Sequence, residues 1–95
     1  MIDQCPCCKR GLALTFHHLI PKKMHRRDRF KKHFSKQELN RGVYICRQCH
    51  VGIHKAYDQM TLAKYFAEFS FILEDEDLQR HFHWVGKQKV TSIGI

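Results

Sequence analysis

The paired cysteines Cys5-x2-Cys8 and Cys46-x2-Cys49 constrain this chain more than any other feature. Two such knuckles can supply four thiolates tetrahedrally to one zinc ion, and a chain tied in this way must bring its start back beside residues 46–49. Ninety-five residues make a single domain with a modest core, for which a structural metal is a natural supplement. Five cysteines are an odd number, and no secretory leader precedes Cys5, so zinc in a reducing, cytoplasmic setting is expected rather than a disulfide framework. Cys7 competes with Cys8 for the metal. Spacing favours Cys8 and leaves Cys7 a free thiol.

The formal charge of +8 is concentrated. Lys22, Lys23, Arg26, Arg27, Arg29, Lys31, Lys32, Lys36 and Arg41 are opposed within residues 22–41 by only Asp28 and Glu38. Such a run suits a phosphate-bearing partner, although a solvated loop would read the same way. No stretch approaches the roughly 20 apolar residues of a membrane-spanning helix, so no membrane partner is expected.

Periodicity places the elements. Leu12, Leu14 and Phe16 alternate with Ala13, Thr15 and His17, which predicts a strand within residues 11–20 that Pro21 ends. Residues 1–10 read as a turn built on the first knuckle. Residues 22–41 have no sustained apolar period and read as a long basic loop with one or two helical turns, one of them after Ser35, where Glu38 completes a capping box. Loops of this length are usually functional. Val43, Tyr44 and Ile45 predict the returning strand, and residues 49–57 a helix. A second helix, capped by Thr61, is expected to bury Leu62, Tyr65, Phe66, Phe69, Ile72 and Leu73. The acidic residues 74–77 break it and start a third, with Leu78, Phe82 and Val85 inward. Phe66, Phe69, Phe82 and Trp84 read as core, and the chain from about Lys87 as frayed.

The histidines form a second constellation. His17 and His18 close the first strand, Asn40 precedes the second, and His50 and His54 lie four apart, on one face of a helix, where two imidazoles can share an ion. On a regular strand His17 and His18 point to opposite faces, so both can face one ion only where the strand distorts or ends. His25 and His33 read as surface residues of the basic segment, with His25 near enough in sequence to reach the metal. His81 and His83 read as structural or exposed.

The pattern His17-His18…Asn40…His50-x3-His54, flanked by paired cysteines, resembles the zinc-containing HNH endonucleases, and is similar in its double histidine and closing His-x3-His to the nuclease domains of bacterial DNase colicins. The resemblance covers residues 5–57, and residues 61–87 look like the helical extension of small stand-alone HNH proteins. It implies an α+β fold with a ββα-metal core: a two-stranded antiparallel hairpin with a long basic connection, packed on a helix, with two C-terminal helices and the four-cysteine zinc site of Cys5, Cys8, Cys46 and Cys49 added. It further implies His18 as the general base, His17, His50 and His54 as ligands of one catalytic divalent cation (Mg2+, Mn2+, Ni2+, Co2+ or Zn2+), and Asn40 holding the loop and orienting His18. Lys22, Lys23, Arg26, Arg27, Arg29, Lys31 and Lys32 would contact double-stranded DNA, with cleavage giving a 5′ phosphate and a 3′ hydroxyl. Oligomeric state, whether homodimer or part of a larger nuclease complex, stays open. A non-catalytic zinc-binding DNA-recognition module or a nuclease-complex accessory protein is the alternative.

Overall fold

The computed structural model describes residues 2–89. A three-stranded antiparallel sheet carries the molecule, ordered β1 (Ile2–Gln4), β2 (Gly11–His18), β3 (Gly42–Cys46). The expected hairpin is present, with Thr15 opposite Ile45 and His17 opposite Val43. The extra strand is a correction: residues 2–4 pair with residues 11–13 instead of forming part of a turn. The turn is confined to the knuckle itself, closed by Lys9 N–H to Cys5 O and Cys5 N–H to Arg10 O, both 2.8 Å. It needs one residue in the left-handed region, which is Lys9 at φ 70°.

The connection from β2 to β3 is more ordered than its composition suggests. It contains a 3-10 turn (Lys22–Met24) and two short helices, α1 (Asp28–His33) and α2 (Lys36–Leu39). Ser35 and Glu38 form the expected capping box, Glu38 N–H to Ser35 Oγ at 3.1 Å and Ser35 N–H to Glu38 Oε1 at 2.9 Å. Widely spaced apolar residues, Ile20, Met24, Phe30 and Leu39, come together with Ala63 in a small core of their own. No regular period announces them, because Met24, Phe30 and Leu39 anchor three different short elements and Ile20 lies just past β2.

Helix α3 (Arg47–Ala56) begins directly at β3 and lies on the sheet. Cys46 caps it, its sulfur accepting from Cys49 N–H at 3.5 Å. The expected second helix is two. α4 (Gln59–Tyr65) starts from Asp58, whose carboxylate accepts Thr61 N–H at 2.8 Å, so Thr61 is inside the helix and not its cap. α5 (Phe69–Glu74) follows after a break. Arg41 holds the break, reaching Ala67 O at 3.4 Å and Glu68 Oε1 at 2.8 Å. The bend buries Leu62, Phe66 and Ile72 while leaving Tyr65 and Leu73 exposed, against the single-helix reading of that face. α6 (Glu76–Gly86) starts where the acidic break was expected, with Asp75 as cap and Leu78, Phe82 and Val85 buried. Trp84, read as core, is 56% exposed. The expected frayed end falls mostly on residues 90–95, outside the described residues.

The main core joins the four paired cysteines to Ile45, Ile53, Leu62, Ile72, Leu78 and Val85. α3 and α6 approach closely at Gly52, where a Cβ would run into the His81 ring. Among the described residues no helix is long and apolar enough to cross a membrane.

Candidate metal centres

The first centre is built from two turns. The β1–β2 knuckle presents Cys5 and Cys8, and the junction of β3 with α3 presents Cys46 and Cys49. All four are buried, and none is in a disulfide. Their sulfur atoms gather within 4.8 Å of one another. Cys5 and Cys49 sulfurs are 3.9 Å apart and those of Cys8 and Cys46 3.7 Å. A zinc tetrahedron with bonds of about 2.3 Å has edges of about 3.8 Å, so the group fits zinc as it stands. The spacing argument for Cys8 over Cys7 agrees with this, since Cys7 lies outside the cluster and half-buried.

Four packed thiols cannot all ionise without a cation. Hydrogen bonds from Cys46 and Cys49 hold the Cys5 thiol well below its ordinary range, and Cys46, bonded to Cys49 and Cys5, is pushed up in return. Arg10, which sequence reasoning passed over, supplies positive charge. Its guanidinium donates to Cys8 Sγ at 3.4 Å and Cys46 Sγ at 3.7 Å, and to Gln48 Oε1 at 2.6 Å. A basic residue two positions after a cysteine pair is the signal that could have found it.

The second centre lies between β2 and α3. His17, His50 and His54 offer ligand atoms within 4.8 Å of one another. Ring centroids are 5.1 Å apart for His17 and His50, 5.4 Å for His17 and His54, and 5.0 Å for His50 and His54. His17 is 0% exposed, yet neither of its ring nitrogens has a hydrogen-bond partner. An unsatisfied buried polar group costs about 1–3 kcal/mol, and a bound ion would relieve it. Burial, followed by the charges of His50, His54 and His18, pushes the His17 pKa down to about 3. Burial also lowers His50 and His54. Three neutral imidazoles are the form that ligates a metal, and three protein ligands leave positions for water and substrate. The donor set therefore fits a divalent ion of the zinc, nickel, cobalt or manganese kind.

His18 is not in this trio. β2 stays regular to its end, His18 opposite Gly42, so successive side chains leave opposite faces and only His17 turns towards α3. His18 is half-buried at the strand end, its ring 4.8 Å from Phe16 and 5.8 Å from His25. Burial, then His25 and Lys22, lower its pKa, which keeps it neutral near pH 7. Gly42 is required opposite it, because a Cβ there would run into His17 O and the Phe16 ring. His25 is half-buried and fixed by Nε2–H donating to Ile20 O at 2.7 Å; it lies beside His18 and outside the trio. His33 is exposed.

Asn40 caps the end of α2, its Nδ2 donating to Lys36 O at 3.0 Å, and is exposed outside the histidine cluster. The adjoining backbone ties the loop to the strand end through Leu19 N–H to Arg41 O at 3.1 Å. Lys22, Lys23, Arg26, Arg27, Arg29, Lys31 and Lys32 are all exposed. Among the described residues the ion pairs are Arg41–Glu68 and Arg80–Asp77, so these seven cations carry no acidic partner there. Of the later histidines, His81 is half-buried and donates to Gln48 O at 3.0 Å, and His83 is exposed.

Comparison with protein-family models, with curated proteins and with solved structures finds no match to this chain.

Proposed function

We propose that the chain is a small metal-dependent endonuclease of the HNH kind, its β2–β3 hairpin and α3 forming a ββα-metal core. The observation that carries this is His17: a fully buried imidazole with two unpartnered nitrogens, facing His50 and His54, with the half-buried His18 next in sequence at the end of β2. A neutral histidine has a free ring nitrogen with which to take a proton from water. A cation held by uncharged ligands would keep its full charge for the phosphoryl oxygens, and His18, on the other face at the last residue of β2, would meet the same phosphate around the strand end.

In this reading His18 accepts a proton from the attacking water as its oxygen bonds to phosphorus, and the bond from phosphorus to the 3′ oxygen breaks, that oxygen taking a proton from a second water. The ion held by His17, His50 and His54 would supply charge stabilisation for the phosphate and the departing oxygen. The products are a 5′ phosphate and a 3′ hydroxyl. Lys22 and Lys23, just beyond the histidine pair, would hold phosphates nearest the cut, and Arg26, Arg27, Arg29, Lys31 and Lys32 those further along the duplex. Asn40 would act by fixing the α2–β3 loop. The four-cysteine centre would carry zinc with a structural role.

The test is cleavage of supercoiled plasmid by zinc-loaded protein with Mg2+, Mn2+, Ni2+ or Co2+ added in turn, beside His18→Ala. Nicking that needs the ion and vanishes in the variant, with DNA binding retained, is expected. Equal DNA binding without cleavage by either protein under any ion would leave a zinc-binding DNA-recognition module, the second reading, for which the unpaired basic surface alone suffices.

A further inference from the structure

The histidine trio is not uniformly supported. His17 has no hydrogen-bond partner at either nitrogen, whereas His50 Nδ1 lies 3.0 Å from Thr15 Oγ1. A hydroxyl has one proton to give, and Thr15 donates it to Ile45 O at 3.1 Å. That carbonyl can only accept. With the proton so engaged, the contact between Thr15 and His50 runs the other way, Nδ1–H of His50 donating to the hydroxyl oxygen. A neutral imidazole protonated at Nδ1 has its lone pair at Nε2.

We infer that Thr15 is a positioning residue of the histidine centre: through a relay from Ile45 O it holds His50 in the Nδ1–H tautomer and presents Nε2 to the ion. The inference rests on the reading of His17, His50 and His54 as an ion site. The relay follows from the sheet itself, since Thr15 and Ile45 are register partners in the β2–β3 ladder and Thr15 shares a face of β2 with His17. Metal-binding histidines depend on such partners, whose loss costs about 10–100-fold in metal affinity. Thr15 is exposed to water, which competes for its hydrogen bonds, so the lower end of that range applies.

Thr15→Val keeps the shape and removes the relay, and Thr15→Ser keeps the relay and removes a methyl group. With zinc-loaded protein and Ni2+ as probe, calorimetric titration is expected to show about tenfold weaker binding for Thr15→Val and binding within about twofold of the parent for Thr15→Ser. Imidazole 15N shifts of the nickel-free proteins are expected to place the His50 proton on Nδ1 in the parent and Thr15→Ser, and to show it redistributed in Thr15→Val. A parent with the proton on Nε2, or Thr15→Val binding Ni2+ like the parent, overturns the role of Thr15 alone. A parent whose Ni2+ uptake is absent, or unchanged by His54→Ala, overturns the ion site and the role of Thr15 with it.

Discussion

His17 concentrates the chemistry of this chain in one side chain. It sits on a strand, fully buried, with neither nitrogen satisfied. Stability has been given up there for something other than packing. Replacing it by leucine should show this directly: His17→Leu is expected to raise the stability of the protein without an ion at this centre by about 1–2 kcal/mol, and to abolish any rise in Tm on adding Ni2+. Denaturant unfolding with and without Ni2+ measures both. The pH dependence has a definite sign. The unfolded chain binds a proton at His17 near pH 6.5, the native state only near 3. Between those values the unfolded state holds more protons, so stability falls as pH drops from about 6.5 towards 3 and flattens below. Urea midpoints across that range should show the slope, shallower in His17→Leu; an unchanged slope would mean that the imidazole is not buried. The histidine pairs themselves were legible in sequence. What the sequence left open was whether His17 and His18 face one ion together, and that depends on β2 staying regular through His18 and thereby sending neighbours to opposite faces.

Helix α3 links the two centres, with Cys46 at its cap, Cys49 on its first turn, and His50 and His54 beyond. The periodic reading captured this element and missed its start by two residues, since a knuckle cysteine can also act as an N-cap. α3 packs against α6, with Gly52 against the His81 ring. Gly52→Ala would favour an isolated helix by about 1 kcal/mol. Here no gain in stability is expected, because the methyl group displaces the His81 ring and breaks its bond to Gln48 O, a loss of about 0.5–1.5 kcal/mol that offsets the helix preference. A stabilised Gly52→Ala in thermal unfolding would refute the packing. The break between α4 and α5 escaped the sequence reading for a related reason. Apolar spacing at 62, 66, 69 and 73 suits one straight helix, yet Arg41, distant in sequence, holds the break through Ala67 O and Glu68. A contact of that kind has no local signal.

Across the whole molecule, the four-cysteine group closes the chain by bringing residues 5–8 against residues 46–49 and completing the main core. Zinc at 1,000 times its dissociation constant would add about 4 kcal/mol, roughly 15–30 °C in Tm for a domain of this size. Chelation is expected to remove that increment, and Cys49→Ser to lack it from the outset, with loss of amide protection in β1 first because its three residues are exposed. Tm unaffected by chelator in a protein shown to contain zinc would mean that the core does not need the metal. The sequence by itself marked the candidate ligands Cys5, Cys8, Cys46, Cys49, His50 and His54, since cysteine pairs at two-residue spacing and histidines four apart on a helix are fixed by short-range geometry. It also determined the capping box at Ser35 and the acidic start of α6, both local hydrogen-bonding patterns. Only the tertiary structure decided that residues 2–4 add a strand, that the basic segment folds on its own small core, that Arg10 faces the sulfurs, and that Thr15 holds His50 while His18 stands apart from the trio. Each of these depends on which faces of separate elements meet, and contacts between residues distant in sequence leave no period along the chain.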